Sequence, residues 1–333
     1  MKNIILISND KIKFSDKSVS SNFNDTLNII SALKKKFRIF LISRETTQKQ
    51  SFKTNSNKIF KLSFSNYKKF NIKNPRVFMV SVTPRNLLNF FYLSFLLRKK
   101  LKGFVYLRSD GFKEYNIKFG IIGYFFYFLL LNLIKSKLKI ISVKSKLTKI
   151  HTRRQLIPSE ISGNWFRKRK FKFNKKKIKI LYFGRFKKEK GFFSLIQLIR
   201  KMKTEYNFTF AGDEIHKDIK LKNLSIIGRI SSEKKIISLY DNNDIFVLPS
   251  YTEGCPKVVH ESISRIRPII IFDDIFHVKN TYKGIFCCER NVFDFQKKIK
   301  YISTNYKNIQ KKMLKNKIHT KKDFQKNILN LIK

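Results

Sequence analysis

The chain predicts an α/β protein of two domains, with a parallel sheet in its second half. Three observations carry this. At 333 residues the chain exceeds one ordinary domain and suits two. Apolar strand-like runs alternate with helical spacings, and such alternation makes parallel sheets with right-handed crossovers. Each distinctive loop follows a strand run, the place where open α/β sheets bind ligands.

In the first half the alternation is weak. Ile4–Ser8 reads as a first buried strand; the Ile4–Ile7 run is too short for a leader's apolar region, and Asp10 soon follows. Asn24–Lys36 has helical spacing, and Arg38–Ser43 is strand-like. Residues 45–75 are polar and carry no clear pattern. Val77–Val82 and Phe104–Leu107 read as strands, with a Leu87–Leu97 helix between them. Ile121–Ile134 is apolar throughout but falls short of the ~20 residues that span a bilayer. It is expected to be a buried core helix; the alternative is a helix lying in a membrane interface ahead of Lys135, Lys137 and Lys139. Ile140–Val143 is the next strand.

Arg167–Lys179 reads as a charged, extended linker. After it the pattern sharpens. Ile178–Phe183, Phe208–Ala211, Leu224–Ile227, Ile245–Leu248 and Ile269–Phe272 read as strands. Phe192–Met202, Ser232–Tyr240 and Lys257–Ser264 read as helices, and Asn291–Lys333 as a charged helical tail.

The net charge is +51, from 73 basic and 22 acidic side chains. Abundant Lys, Asn, Ile and Phe fit AT-rich coding, and the charge also suits an anionic membrane surface. It is spread over the chain rather than confined to one stripe, so no nucleic acid partner is expected. Cys255, Cys287 and Cys288 form no disulfide framework and fit a reducing, cytoplasmic compartment. Neither they nor the five histidines show metal-ligand spacing.

Two segments are candidates for chemistry; the alternatives are an ordinary basic strand–helix loop for the first and a solvated turn and helix glutamate for the second. Gly184-Arg185-Phe186-Lys187-Lys188-Glu189-Lys190-Gly191 joins a strand to a helix. Its glycines let backbone approach a ligand, Arg185 can fork onto phosphate oxygens, and Lys190 adds a point charge. Glu253-Gly254-Cys255-Pro256-Lys257-Val258-Val259-His260-Glu261 follows another strand end and places two carboxylates eight residues apart. Carboxylates accept hydrogen bonds from hydroxyls, and the helix start offers N–H groups to phosphate. Arg108-Ser109-Asp110-Gly111, after a first-half strand, makes Arg108 and Asp110 candidates for acceptor or catalytic work; the alternative is a capped turn.

These segments, with Ala211-Gly212-Asp213, Gly228-Arg229 and the Asp244–Ser250 run, make the stretch from about 156 to 290 resemble the retaining GT-B glycosyltransferases of family four, the glycosyl transferases group 1. The resemblance implies two Rossmann-like domains with parallel sheets facing a central cleft: residues 1–165 for the acceptor, 166–318 for the donor, and 319–333 as a helix crossing back to the first. It implies transfer of a sugar from a nucleoside-diphosphate sugar to a hydroxyl of a cell-surface glycan or lipid-linked acceptor, with retention. Arg185, Lys190 and Glu253 would be catalytic. Gly184, Gly254, Cys255, Pro256, Lys257, Val258 and Glu261 would bind donor, with Glu261 on the ribose. No metal or other cofactor is expected, since the chain has no Asp-x-Asp and the two cations would meet the leaving charge. The place expected is the cytoplasm, peripheral on the inner face of the cell membrane. A non-catalytic basic nucleic-acid- or membrane-binding protein on the same scaffold is the alternative, as is an epimerase or phosphorylase. Three departures from the family pattern stand out. Ile266 replaces a glycine after the second Glu, Asp16–Asn22 lacks glycine, and no His follows Phe104–Leu107.

Overall fold

The structure is a computed structural model that describes residues 2–70, 72–98, 100–143, 146–147, 150–152, 154–171, 173, 177–202, 206–212 and 219–332. It divides into two compact units, Met1–Glu160 with Lys321–Lys333, and Ile161–Thr320.

The first unit contains β1 (Lys2–Ser15), β2 (Ser18–Ser21), α1 (Asn24–Leu33), β3 (Phe37–Glu45), β4 (Phe52–Asn55), β5 (Ile59–Lys61), β6 (Arg76–Val80), α2 (Pro84–Leu96), β7 (Lys102–Leu107), α3 (Gly111–Lys135), β8 (Lys139–Ser142) and the small pair β9 (Lys146–Leu147) and β10 (Ile150–His151). Its parallel strands run β5-β3-β1-β6-β7-β8. That is the doubly wound order, in which the chain reverses its direction of travel between the first and fourth strands. Ile4, Ile5, Leu6 and Ile7 are wholly buried, as a central parallel strand covered on both faces requires. Helix α2 starts at a strong signal: Thr83 accepts from the Asn86 amide at 3.2 Å, and Pro84 supplies the first helical residue. The C-terminal helix Lys321–Ile332 belongs to this unit and packs on α1.

Three expectations change here. Strand β1 does not stop at Ser8. It continues to Ser15 and turns through Asp16-Lys17 into antiparallel β2, with Ser15 opposite Ser18. The glycine-free Asp16–Asn22 stretch is therefore mostly hairpin rather than an open loop. Residues 45–75 supply β4 and the parallel edge strand β5. The apolar helix is not a core helix. Gly120 interrupts α3 with φ 64° and ψ −154°, and most of the apolar side chains from Ile117 to Leu133 face outward.

The second unit contains β11 (Lys179–Phe183), α4 (Phe192–Arg200), β12 (Asn207–Ala211), β13 (Leu224–Ile227), α5 (Glu233–Asp241), β14 (Ile245–Leu248), α6 (Lys257–Ser264), β15 (Ile269–Phe272), β16 (Ile285–Cys288), α7 (Val292–Thr304) and α8 (Tyr306–Met313). All its strand pairings are parallel, in the order β13-β12-β11-β14-β15-β16. This is again the doubly wound order, with its switch point between β11 and β14. Ile245, Phe246, Val247 and Ile269 to Phe272 are almost completely buried at its centre.

The segment expected as a solvated linker is tied to this core instead. Buried Arg265 donates to the carbonyls of Trp165, Arg167 and Lys168 at 2.8, 2.8 and 3.0 Å. Phe173 stacks on Tyr306 with ring centroids 4.1 Å apart. Residues 172 and 174–176 lie outside the described residues, as does Asp213. Residues 161–165, expected with the first domain, fall in the second unit, where Trp165 is buried against Tyr240.

Ile266 stands at a left-handed position, with φ near 50°. Helix α6 ends there in two backbone bonds, Arg267 N–H to the Ser262 carbonyl at 2.9 Å and Ile266 N–H to the Ile263 carbonyl at 3.0 Å. This is the Schellman ending that normally takes glycine. A β-branched residue is strained in that conformation by ~1–2 kcal/mol. Ile266 is fully buried, and burying such a side chain contributes ~1.5–3 kcal/mol, enough to offset the strain. The departure from the family pattern therefore preserves the turn.

Candidate functional site

The two segments singled out in the sequence meet at the second unit's switch point. One leaves the carboxyl end of β11, the other that of β14, and these strands are neighbours. Gly191 makes the close approach possible. Its φ is 68°, and a Cβ on it would lie 1.8 Å from the Pro249 carbonyl oxygen, so only glycine fits. The Tyr251 amide donates to the Glu189 carbonyl at 3.1 Å, locking the two loops together. Lys190 Nζ then reaches Glu253 Oε1 at 2.7 Å, and Ser250 Oγ donates to the same oxygen at 2.7 Å. A second glycine contact holds the ends of β11 and β12 close: a Cβ on Gly212, just after β12, would lie 2.4 Å from the Gly184 carbonyl oxygen.

Arg185 follows Gly184 on the same loop. Its carbonyl accepts from the Tyr182 hydroxyl at 2.6 Å, and its half-exposed guanidinium lies 4.0 Å from Glu189. Pro256 caps α6, so Lys257 and Val258 open the helix. Glu261 lies one turn further in and is buried; its Oε2 accepts from the Tyr240 hydroxyl at 2.9 Å. Burial, and then the Glu261 carboxylate, raise the Tyr240 hydroxyl well above its ordinary value of 10, so it stays a donor. Glu253 and Glu261 thus flank the start of one helix, each held by a defined donor.

Sequence reasoning missed two supports. His277 donates from Nε2 to the Glu253 carbonyl at 3.0 Å. Arg290, just after β16, lies 4.2 Å from the centre of the Tyr251 ring, pairs with Asp274 at 2.5 Å and donates to Ser194 at 2.9 Å. Both come from far along the chain, and only an Arg directly after a strand end would have hinted at one of them.

His260 is buried between the two glutamates in sequence. Its edge faces the Tyr282 ring, and its Nδ1 has no hydrogen-bond partner among the described residues. Burial, and then His319, lower its pKa from 6.5 to about 4. The folded state therefore holds it neutral while the unfolded chain takes up a proton below 6.5. Its contribution is fully present above pH 6.5 and is lost as pH falls toward 4, on the order of 3 kcal/mol in all. Urea midpoints at pH 8 and pH 5 should differ accordingly, and His260→Gln should shrink that difference. An unchanged difference in the variant would assign the acid lability elsewhere.

In the first unit, Arg108 and Asp110 also lie at a strand's carboxyl end. Arg108 is 3.6 Å from the buried carboxylate of Asp10 and donates to Ser81 Oγ at 3.3 Å. Ser81 has φ 69°, a strained conformation of the kind that gathers at functional positions. Thr26 donates to Asp10 as well. Asp110 acts as a helix cap, its Oδ1 accepting from the Lys113 amide at 3.2 Å at the start of α3. No group of three or more His, Cys, Asp or Glu side chains suited to a metal occurs among the described residues.

Residues 164–320 match the family model described as Glycosyl transferases group 1. Over 161 residues the chain is 26% identical to the N,N'-diacetylbacillosaminyl-diphospho-undecaprenol alpha-1,3-N-acetylgalactosaminyltransferase of Campylobacter jejuni, a match that takes in 46% of this chain and 43% of the relative. Over 93 residues it is 32% identical to the putative teichuronic acid biosynthesis glycosyltransferase TuaC of Bacillus subtilis, covering 28% of this chain and 24% of that protein. The chain thus matches less than half the length of these curated relatives. Sucrose-phosphate synthase from Thermosynechococcus elongatus superposes with TM-score 0.68 at 12% identity, over 100% of this chain and 95% of that one. Anabaena HepE, in complex with UDP and glucose, superposes with TM-score 0.61 at 11% identity, over 99% of each chain. At such low identity these likenesses show the fold, which is GT-B.

Proposed function

From the glycosyl transferases group 1 domain that residues 164–320 carry, we propose that the chain transfers a sugar from a nucleoside-diphosphate sugar to a hydroxyl on a cell-surface glycan or lipid-linked acceptor, with retention at the anomeric carbon. The observation that carries the reading is the Lys190–Glu253 pair at 2.7 Å, made across the switch point of a doubly wound sheet. In the reaction the bond from the anomeric carbon to the diphosphate oxygen breaks and the diphosphate leaves with the electron pair, while the acceptor oxygen bonds to that carbon on the same face and its hydroxyl proton passes to the departing diphosphate. Arg185 and Lys190 meet that developing charge, so no divalent ion is required. Glu253 accepts from donor-sugar hydroxyls, and Glu261 accepts from the ribose. Residues Gly254 to Val258 line the loop and helix start between them.

Four similar proteins support the donor and acceptor classes. HepE is held with UDP, and a protein from E. coli of the same fold with UDP-2-fluoro glucose. The Campylobacter relative is named for transfer to a sugar on diphospho-undecaprenol. The Bacillus relative is named for teichuronic acid biosynthesis. With a lipid-linked acceptor the chain would work peripherally on the cytoplasmic face of the membrane, with Arg108 and Asp110, and the Asp10 that pairs with Arg108, as candidates for the acceptor side.

Calorimetric titration with a panel of nucleoside diphosphates tests the reading. One base should bind preferentially, and Glu261→Ala should weaken it at least about tenfold, the usual cost of a lost charged hydrogen bond. Absence of binding by every diphosphate, in folded protein, would overturn it.

A further inference from the structure

We infer that α3 is a monotopic anchor: a helical hairpin, folded at Gly120, that lays an apolar face into an anionic lipid monolayer. By length and composition the helix could cross a membrane, but its backbone does not run straight. Gly120 sits at φ 64° and ψ −154°, a region essentially closed to other residues. The chain folds back there. A Cβ on Gly123 would lie 2.3 Å from the Tyr115 carbonyl oxygen, and one on Gly111 would lie 2.0 Å from the Tyr127 ring. Phe112 and Tyr115 pack on Tyr127 with ring centroids 5.0 and 5.2 Å apart. The longer arm, 121–135, then measures about 22 Å, short of the ~30 Å hydrocarbon core.

The arms bury one face and leave the other bare. Tyr127, Leu130, Leu131 and Ile134 face inward, whereas Ile122 is 77% and Phe125 59% exposed, with Phe119, Ile121, Leu129 and Leu133 beside them. Helix α2 touches α3 and adds exposed Leu88 and Phe95. A monomer rarely shows so large an apolar patch to water.

Charge selects the occupant. Lys113, Lys118 and Lys135 are exposed on α3, whose only acid is Glu114. At the foot of the long arm lies an open basin of about 810 Å³ lined by Arg76, Lys102, Lys135, Lys137, Lys139 and Arg154. An apolar face that ends in a cluster of cations suits the boundary between acyl chains and anionic headgroups. The assignment deepens the membrane-side acceptor reading and rests on it.

Flotation with phosphatidylcholine–phosphatidylglycerol vesicles and with phosphatidylcholine vesicles tests it. The wild type should float with the mixed vesicles. Ile122→Asp with Phe125→Asp should lower the partition coefficient at least about tenfold, and each Ala at Lys135, Lys137 and Lys139 about fivefold. Unchanged thermal midpoints and nucleotide titrations in the variants keep folding and donor binding out of the result. Flotation of the double aspartate variant equal to wild type removes the hairpin as the anchor and leaves the lipid-linked acceptor reading standing. No flotation of the wild type removes the membrane placement altogether. A wild-type dimer that Ile122→Asp dissociates, without vesicle binding, assigns the face to a second copy and overturns the proposal.

Discussion

Lys190→Ala is expected to cut sugar transfer about 100- to 1,000-fold, the ~2.7–4 kcal/mol that a single preorganised contact to leaving-group charge supplies. Arg185→Ala should fall in the same range, but the two variants should differ in stability. Arg185 is half exposed, and its guanidinium lies at the 4.0 Å limit of a pair with Glu189, so its loss should leave the thermal midpoint nearly unchanged. Lys190 is mostly buried and neutralises Glu253, which is more buried still. Removing it leaves that carboxylate with the Ser250 hydroxyl and should cost about 1–3 kcal/mol of stability. Initial rates with the preferred donor, and calorimetric midpoints of the same preparations, separate the two effects. Near-wild-type transfer by folded Arg185→Ala would take Arg185 out of the mechanism.

Asp241→Ala should be the most damaging change to the fold of the second unit, by about 3–5 kcal/mol, because it strips the counter-ion from buried guanidinium groups. Asp241 accepts from Arg265 at 2.9 and 2.8 Å, and Arg267 lies 3.8 Å away. Both arginines are 1% exposed. Arg267 also donates to the Tyr240 carbonyl and to the Tyr306 hydroxyl, at 3.0 and 3.1 Å. The network anchors the end of α6 whose start follows the Glu253–Pro256 loop, and it touches the backbone of Tyr240, whose hydroxyl holds Glu261. Loss of stability should therefore come with weaker nucleotide binding. Denaturant midpoints of Asp241→Ala and Asp241→Asn check the first point, and nucleotide titration checks the second. A shift under ~1 kcal/mol in Asp241→Ala would show that the carbonyls around Arg265 suffice to hold it.

Much of the second unit was legible because its code is local. Four-residue apolar runs such as Ile245–Leu248 and Ile269–Phe272 mark strands buried on both faces. The Gly191 turn and the Pro256 helix start announce themselves through residues whose backbone preferences are narrow. The first unit was harder. Strand β1 past Ser8 carries Lys11 and Lys13 alternating with Ile12 and Phe14, a pattern that needs the β2 partner before it reads as sheet. The edge strand β5 has three residues, too few for any period to show.

By itself the sequence determined which residues could do chemistry and in what order they follow their strands, since turn and cap preferences depend on immediate neighbours. Tertiary structure alone decided three things. It set the doubly wound strand order that brings the β11 and β14 loops side by side. It turned Arg265 and Arg267, ordinary charges in a lysine-rich chain, into buried struts. It folded α3 at Gly120 so that an apolar segment faces outward. Each depends on which distant surfaces pack together, and packing is a property of pairs of segments that no single stretch of residues contains.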